Sequence, residues 1–175
     1  MTEPKPNAPP EFSRPVDIDR LPADEAVFDI AATSSEREAL ARRFGLLRLD
    51  RLEAQIRLKR LAGGLLRLSA TLSAAVVQSC VVTLEPVPSS VGDRFTLIYG
   101  PAGGTQGEVT LGGEEELVEP LPGGFLDIGE AAAQQLSLAL DPYPRAPGAE
   151  LAESPTQGGE KLSPFAALAK WQKKS

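Results

Sequence analysis

Nine basic side chains fall between residues 37 and 67: Arg37, Arg42, Arg43, Arg48, Arg51, Arg57, Lys59, Arg60 and Arg67. Glu38, Asp50 and Glu53 oppose them there, so the segment is +6 on a chain whose net charge is −6. The remaining residues carry 9 basic and 21 acidic groups, or −12. Gathered guanidinium and ammonium groups bind phosphate or carboxylate, and a local positive potential steers anionic partners even toward an acidic protein. Other chemistry lacks its residues. The chain has no histidine, which removes His-based acid–base catalysis and His-ligated metals. Ser73, Ser79 and Ser137 have no histidine or lysine placed to activate them. No lysine follows Gly103, Gly104 and Gly107, so their loop is not a P-loop. Glu114, Glu115 and Glu116 cannot all face one ion from a single strand, and they suit a solvated edge that discourages aggregation. The single cysteine, Cys80, excludes an internal disulfide and fits a reducing compartment. It shares core parity with Val76 and Val82, as a buried, inert thiol would; a redox or ligand role is the alternative. Gln78 has the same parity and needs a backbone hydrogen bond if buried.

The basic residues need elements to position them. Ser35 and Glu38 have capping-box spacing for a helix over about 35 to 44, with Gly45 as its left-handed cap. Ala54, Ile56 and Leu58 alternate with Gln55, Arg57 and Lys59, which marks a half-buried strand. The even positions Leu66, Leu68, Ala70, Leu72, Ala74 and Val76 continue the pattern after Ala62-Gly63-Gly64. A three-residue loop there pairs Leu58 with Leu68, Ile56 with Ala70 and Ala54 with Leu72; a one-residue slip would expose the apolar set. The same register sets Lys59 opposite Arg67, with Arg57 beside them. Like charges in that position destabilise a sheet by up to about 1 kcal/mol. Either the long side chains splay into solvent, or an RNA or acidic protein contacts them.

Shorter elements surround this hairpin. Phe12 to Ile18, Glu25 to Ala31, Arg94 to Tyr99, Glu114 to Val118 (an acidic edge) and Phe125-Leu126 read as strands, with a bend expected near Ser73 to Ala75. Gly100 to Gly113 reads as a flexible loop. Asp127 and Glu130 have capping-box spacing for a second helix, about 128 to 140, ended by Pro142 and Pro144. Residues 1 to 11 are expected to be disordered, 12 to 146 to form one α+β domain, and 147 to 175 to be a flexible tail. That tail ends in a short aromatic and basic peptide, Phe165, Leu168 and Trp171 with Lys170, Lys173 and Lys174, able to dock in cis or to enter a partner's groove. At 175 residues and 42% apolar content, one domain with a real core is expected. The chain shows no membrane-span-length apolar run and no secretory signal, which together with the lone cysteine points to the cytoplasm.

Several segments resemble the YceD family, named for large ribosomal RNA subunit accumulation. They are EFSRPVDI (11 to 18), ERxALARRFGL from Glu36 to Leu46, QSCVVTLEPV (78 to 87), DIGEAAAQQLSLALDPYPRAPGA (127 to 149) and the terminal PFAALAKW, which is similar to the α-proteobacterial-type branch. The resemblance implies a role in accumulation of large-subunit ribosomal RNA. Many members carry a C-x-x-C pair where this chain reads Cys80-Val81-Val82-Thr83, so a zinc or redox role in other members does not transfer.

The expected fold is α+β: an antiparallel, twisted sheet or open barrel around the long hairpin, with two helices packed on it. The expected function is a non-enzymatic bacterial factor without cofactor or membrane attachment that binds large-subunit ribosomal RNA or a large-subunit ribosomal protein. Arg57, Lys59, Arg60 and Arg67 are its candidate contacts, extended by Arg42, Arg43, Arg48 and Arg51. The alternative is an adaptor whose acidic surface, especially Glu108 to Glu119, holds a basic ribosomal protein without touching RNA.

Overall fold

The computed structural model of the chain describes residues 10–101, 108–111, 114–121 and 123–149. Residues 1–9 of the expected N-terminal segment, and the tail from 150 with Phe165, Leu168 and Trp171, lie outside the described residues.

Alternation builds the centre of the molecule. β3 (Arg48–Arg60) and β4 (Leu66–Ser79) pair antiparallel, with Leu58 opposite Leu68, Ile56 opposite Ala70 and Ala54 opposite Leu72, the register expected from parity. Gly63 and Gly64 turn the chain between them with φ of 74° and 76°, a region open to glycine without steric cost. β2 (Glu25–Ala31) flanks β3, and β5 (Pro86–Pro101) flanks β4. β5 outruns the expected Arg94–Tyr99 strand because β4 runs unbroken to Ser79 and offers ladder bonds back to Pro86. The irregularity expected near Ser73 to Ala75 lies on the facing strand instead. Register shifts between Leu49 and Arg51, leaving Asp50 as the extra residue of a bulge in β3.

The far side of the sheet departs further from expectation. β6 (Glu108–Leu111) pairs antiparallel with β7 (Glu114–Leu121), and β7 runs parallel to β5, with Ile98 opposite Val118. The acidic strand is therefore interior and β6 is the edge. Part of the stretch expected as a loop is also strand, since Gly100 and Pro101 finish β5 and 108–111 form β6; the rest of that stretch lies outside the described residues. The six-stranded sheet has the order β2-β3-β4-β5-β7-β6, open, with no closed barrel among the described residues. A second, two-stranded sheet joins β1 (Pro15–Asp17) to β8 (Phe125–Asp127). β1 is shorter than the expected Phe12–Ile18 strand because Phe12 leaves the ladder for the core and Ile18 opens a 3-10 turn.

Both helices cover the even-numbered face. α1 (Ser34–Phe44) begins at Thr33, whose hydroxyl accepts from the Glu36 N–H while the Glu36 carboxylate accepts from the Thr33 N–H at 2.8 Å. The capping box thus lies two residues before the Ser35 and Glu38 pair expected. α2 (Ile128–Ala139) is capped by Asp127, which accepts from the Gly129 and Glu130 N–H groups at 3.1 and 3.0 Å. The same carboxylate accepts from the Arg14 N–H at 2.7 Å and the Ser13 hydroxyl at 2.5 Å, so one side chain starts a helix and holds the N-terminal strap. Leu40 and Ala41 of α1, Ala132 and Leu136 of α2, and Phe12 bury against Leu52, Ile56, Leu58, Leu68 and Leu72. Each leucine, isoleucine or phenylalanine among them contributes about 1.5–3 kcal/mol by leaving water. The result is α+β, with both helices segregated to one face of the sheet.

Candidate nucleic-acid interface

Strand alternation sorts the polar residues onto the odd-numbered face, and pairing aligns them in rows. Glu25, Lys59, Arg67 and Ile98 form one row across β2 to β5, followed by Val27, Arg57, Ser69 and Thr96, then Asp29, Gln55, Thr71 and Arg94. Lys59 stands directly opposite Arg67. Arg57 reaches only to 3.9 Å from a Glu25 carboxylate oxygen, at exposures that make such a pair weak. The Arg67 Nε is buried without a hydrogen-bond partner among the described residues. A buried donor left unmatched costs about 1–3 kcal/mol. Arg94 joins this group across a shallow depression that Gln55, Arg57, Ser69, Thr71 and Thr96 also line.

Other basic residues of the +6 segment are committed elsewhere. Arg43, on α1 and hence on the opposite side of the sheet, makes a two-pronged contact with Glu130 of α2 at 2.9 and 2.7 Å and reaches Glu11 at 3.0 Å. Arg48 folds onto Asp50 at 2.5 and 3.1 Å. Arg60 donates to the Ile18 carbonyl oxygen, and Arg51 lies 3.6 Å from Glu53. Arg42 is exposed on α1 and shares a cleft with Arg37, Arg48 and Leu47 on the helix side. The structure therefore gathers Arg57, Lys59 and Arg67 on one surface and separates Arg42 and Arg43 from them. Arg94 and the hydroxyls of Ser69, Thr71 and Thr96 were not anticipated. The odd parity of Ser69 and Thr71 on β4 is visible in the sequence, but the placing of Arg94 and Thr96 depends on the β4–β5 register, which the intervening turn does not reveal.

Two ion pairs tie the helix layer together and set an acid limit. Arg14 grips Glu36 through Nη1 at 2.7 Å and Nη2 at 3.0 Å, and this bond, against the opposing effect of burial, lowers the Glu36 carboxyl to about 2. The Glu130 carboxyl is lowered mainly by Arg43. Folded values below unfolded ones mean stability that is complete above the ordinary carboxylate range and lost as pH falls through it. Thermal melts across a pH series should show a loss of about 1–2 kcal/mol between about pH 4 and pH 2, once solvent screening is allowed for. Glu36→Gln should remove part of that acid slope; an unchanged slope would show that the Arg14 contact does not hold in solution.

Cys80 lies just past β4 in the turn to β5, fully buried. Its Sγ accepts from the N–H groups of Ala146 at 3.3 Å, Thr83 at 3.3 Å and Val82 at 3.4 Å. These donors, Ala146 first, bring the thiol down to about 6 against the opposing pull of burial. The turn is tied to the segment after α2 twice more, by the Val81 N–H to the Pro144 carbonyl oxygen at 2.9 Å and by Gln78 Nε2 to the Asp141 carbonyl oxygen at 2.8 Å. Gln78, expected to need a backbone partner only if buried, is half-buried and makes this bond all the same. No three His, Cys, Asp or Glu side chains gather to hold a metal among the described residues.

A sheet backed by helices on one face, with Arg57, Lys59, Arg67 and Arg94 among Ser69, Thr71 and Thr96 on the other, defines an α+β protein. No helix among the described residues is long and apolar enough to cross a membrane. The chain belongs to the YceD family, described as large ribosomal RNA subunit accumulation protein YceD, whose sequence profile matches residues 68–171. No curated protein and no solved structure matches the chain.

Proposed function

We propose that this protein is a non-enzymatic cytoplasmic factor that supports accumulation of large-subunit ribosomal RNA by holding RNA phosphates on the sheet face opposite its helices. Family membership supports the cellular role. The observation that carries the molecular part is the Lys59–Arg67 cross-strand pair, two cations set directly opposite each other on neighbouring strands. Arg57 and Arg94 extend the cationic strip, and Ser69, Thr71 and Thr96 supply neutral donors to phosphate and sugar oxygens. Such a surface positions RNA without reading its sequence. The PFAALAKW ending supports placing the chain in the α-proteobacterial-type branch.

The test is anisotropy of labelled large-subunit RNA fragments titrated with wild type and a Lys59→Glu, Arg67→Glu double variant over a range of salt. Wild-type binding should weaken steeply with salt and vary little with sequence. The double variant should bind at least about tenfold more weakly, with a salt slope shallower by about 1.4–1.8, because two phosphate contacts are lost. Equal affinity would remove the strip from the mechanism. Sedimentation with pre-ribosomal particles that survives ribonuclease would instead favour the acidic-surface adaptor.

A further inference from the structure

β2 closes one end of the six-stranded sheet, and its outer edge has no partner strand among the described residues. One bond identifies the backbone groups that face this edge. The Ala32 N–H donates to the Leu52 carbonyl oxygen at 3.0 Å, and Ala31 lies opposite Glu53, so Ala32 and Leu52 are a hydrogen-bonded pair. Antiparallel ladders alternate, so Ala26, Phe28 and Ile30 turn their N–H and C=O groups toward β3, and Glu25, Val27, Asp29 and Ala31 turn theirs outward. The Arg14 guanidinium agrees with this parity, because its Nη2 donates to the Ala31 carbonyl oxygen at 3.2 Å. Both faces of the edge also leave apolar surface uncovered. Val27 is 52% exposed on the outer face, while Phe28 and Ile30 are only partly buried on the inner one, since α1 packs over β3. Natural sheets ordinarily protect such an edge.

We propose that this edge pairs with the same edge of a second copy, antiparallel and two-fold symmetric, in a register centred on Phe28. Ladder bonds require outward residues on both strands, so an outward residue must face an outward residue. The three longest overlaps that satisfy this put the axis at Val27, Phe28 or Asp29. Centred on Val27, each Glu25 faces the other copy's Asp29. Centred on Asp29, the two Asp29 carboxylates face each other. Like charges so placed destabilise a sheet. Centred on Phe28, Val27 faces Asp29 and Glu25 faces Ala31, so no carboxylate stands directly opposite another. On the inner face Phe28 then meets Phe28 and Ala26 meets Ile30. This self-complementarity favours a second copy over an unrelated strand. The axis stands normal to the sheet, which leaves both cationic faces on one side, with the two Arg57 strands three spacings, or about 14 Å, apart.

Sedimentation equilibrium of the full chain tests the pairing independently of RNA. Wild type should be a dimer. Val27→Asp sets a carboxylate opposite Asp29 twice per dimer and should weaken association by about tenfold or more. Val27→Lys should preserve or tighten it, because the lysine faces Asp29, although edge lysines normally discourage strand pairing. A second arm does not depend on those variants folding well. Phe28→Cys should cross-link on oxidation, since directly opposite residues of a non-hydrogen-bonded pair have Cα atoms about 4.5 Å apart, within disulfide range. Val27→Cys should not cross-link, and the buried Cys80 stays out of reach. A monomeric wild type overturns the proposal, as does equal disruption by both Val27 charges or equal cross-linking at 27 and 28. Occupation of the edge by another strand, from this chain or a partner, would appear as one of those results.

Discussion

Gly129→Ala should destabilise the protein by about 3 kcal/mol or more, although alanine is the better helix former by about 1 kcal/mol. A Cβ on Gly129 would lie 2.3 Å from the Phe12 carbonyl oxygen and 3.1 Å from both the Phe12 carbonyl carbon and the Arg14 nitrogen. All three are backbone atoms, so no rotamer change relieves the contact. Either the first turn of α2 or the N-terminal strap must move, and the strap is fastened by the Asp127 carboxylate and the β1–β8 pairing. For a chain of this size, a loss of about 3 kcal/mol lowers the melting temperature by roughly 6–12 °C. Thermal unfolding followed by circular dichroism measures it. A melting temperature at or above wild type would show that the strap does not pack on α2 in solution.

Phe12→Ala should cost about 3–5 kcal/mol, the range for deleting a fully buried aromatic ring. Phe12 is 0% exposed, and the Arg14 guanidinium carbon sits 4.7 Å from its ring centroid. Removing the ring leaves a cavity among α2 and the sheet and takes away the surface on which Arg14 lies while it holds Glu36. Equilibrium denaturation should therefore show a lower midpoint with an unchanged slope. Phe12→Leu should recover most of the loss. A change under about 1 kcal/mol for the alanine variant would place this residue outside the cooperative unit.

Alternating parity made the hairpin register legible, because Ile56, Leu58, Leu68 and Leu72 can share one buried face in only one way. It also foretold that Lys59 meets Arg67. Residues whose partners lie far along the chain were not legible. Arg43 reads as a free cation until α2 brings Glu130 to it from 87 residues away. The helix start shows the same limit locally: both Thr33 with Glu36 and Ser35 with Glu38 fit a capping box. Arg14 gives Glu36 a second partner from outside the helix, and this long-range contact accompanies the earlier start. Glu114 to Glu116 looked like an edge because nothing in their composition reports that β6 folds back outside them. Arg94 was overlooked for the same reason, since its neighbours Gln55 and Thr71 reach it only through ladder pairing.

The β1–β8 pair brings residues 15–17 together with 125–127, and this bears on how the chain matures during translation. The β2–β5 ladder can assemble as soon as its own residues emerge. The strap that carries Phe12 must wait for the Asp127 carboxylate that caps α2, far along the chain. At roughly 5–20 residues per second that interval is on the order of 10 s. Throughout it Phe12 lacks the α2 side of its burial site. The strap therefore closes late, once α2 has been made, and its closing is the step that completes the packed layer.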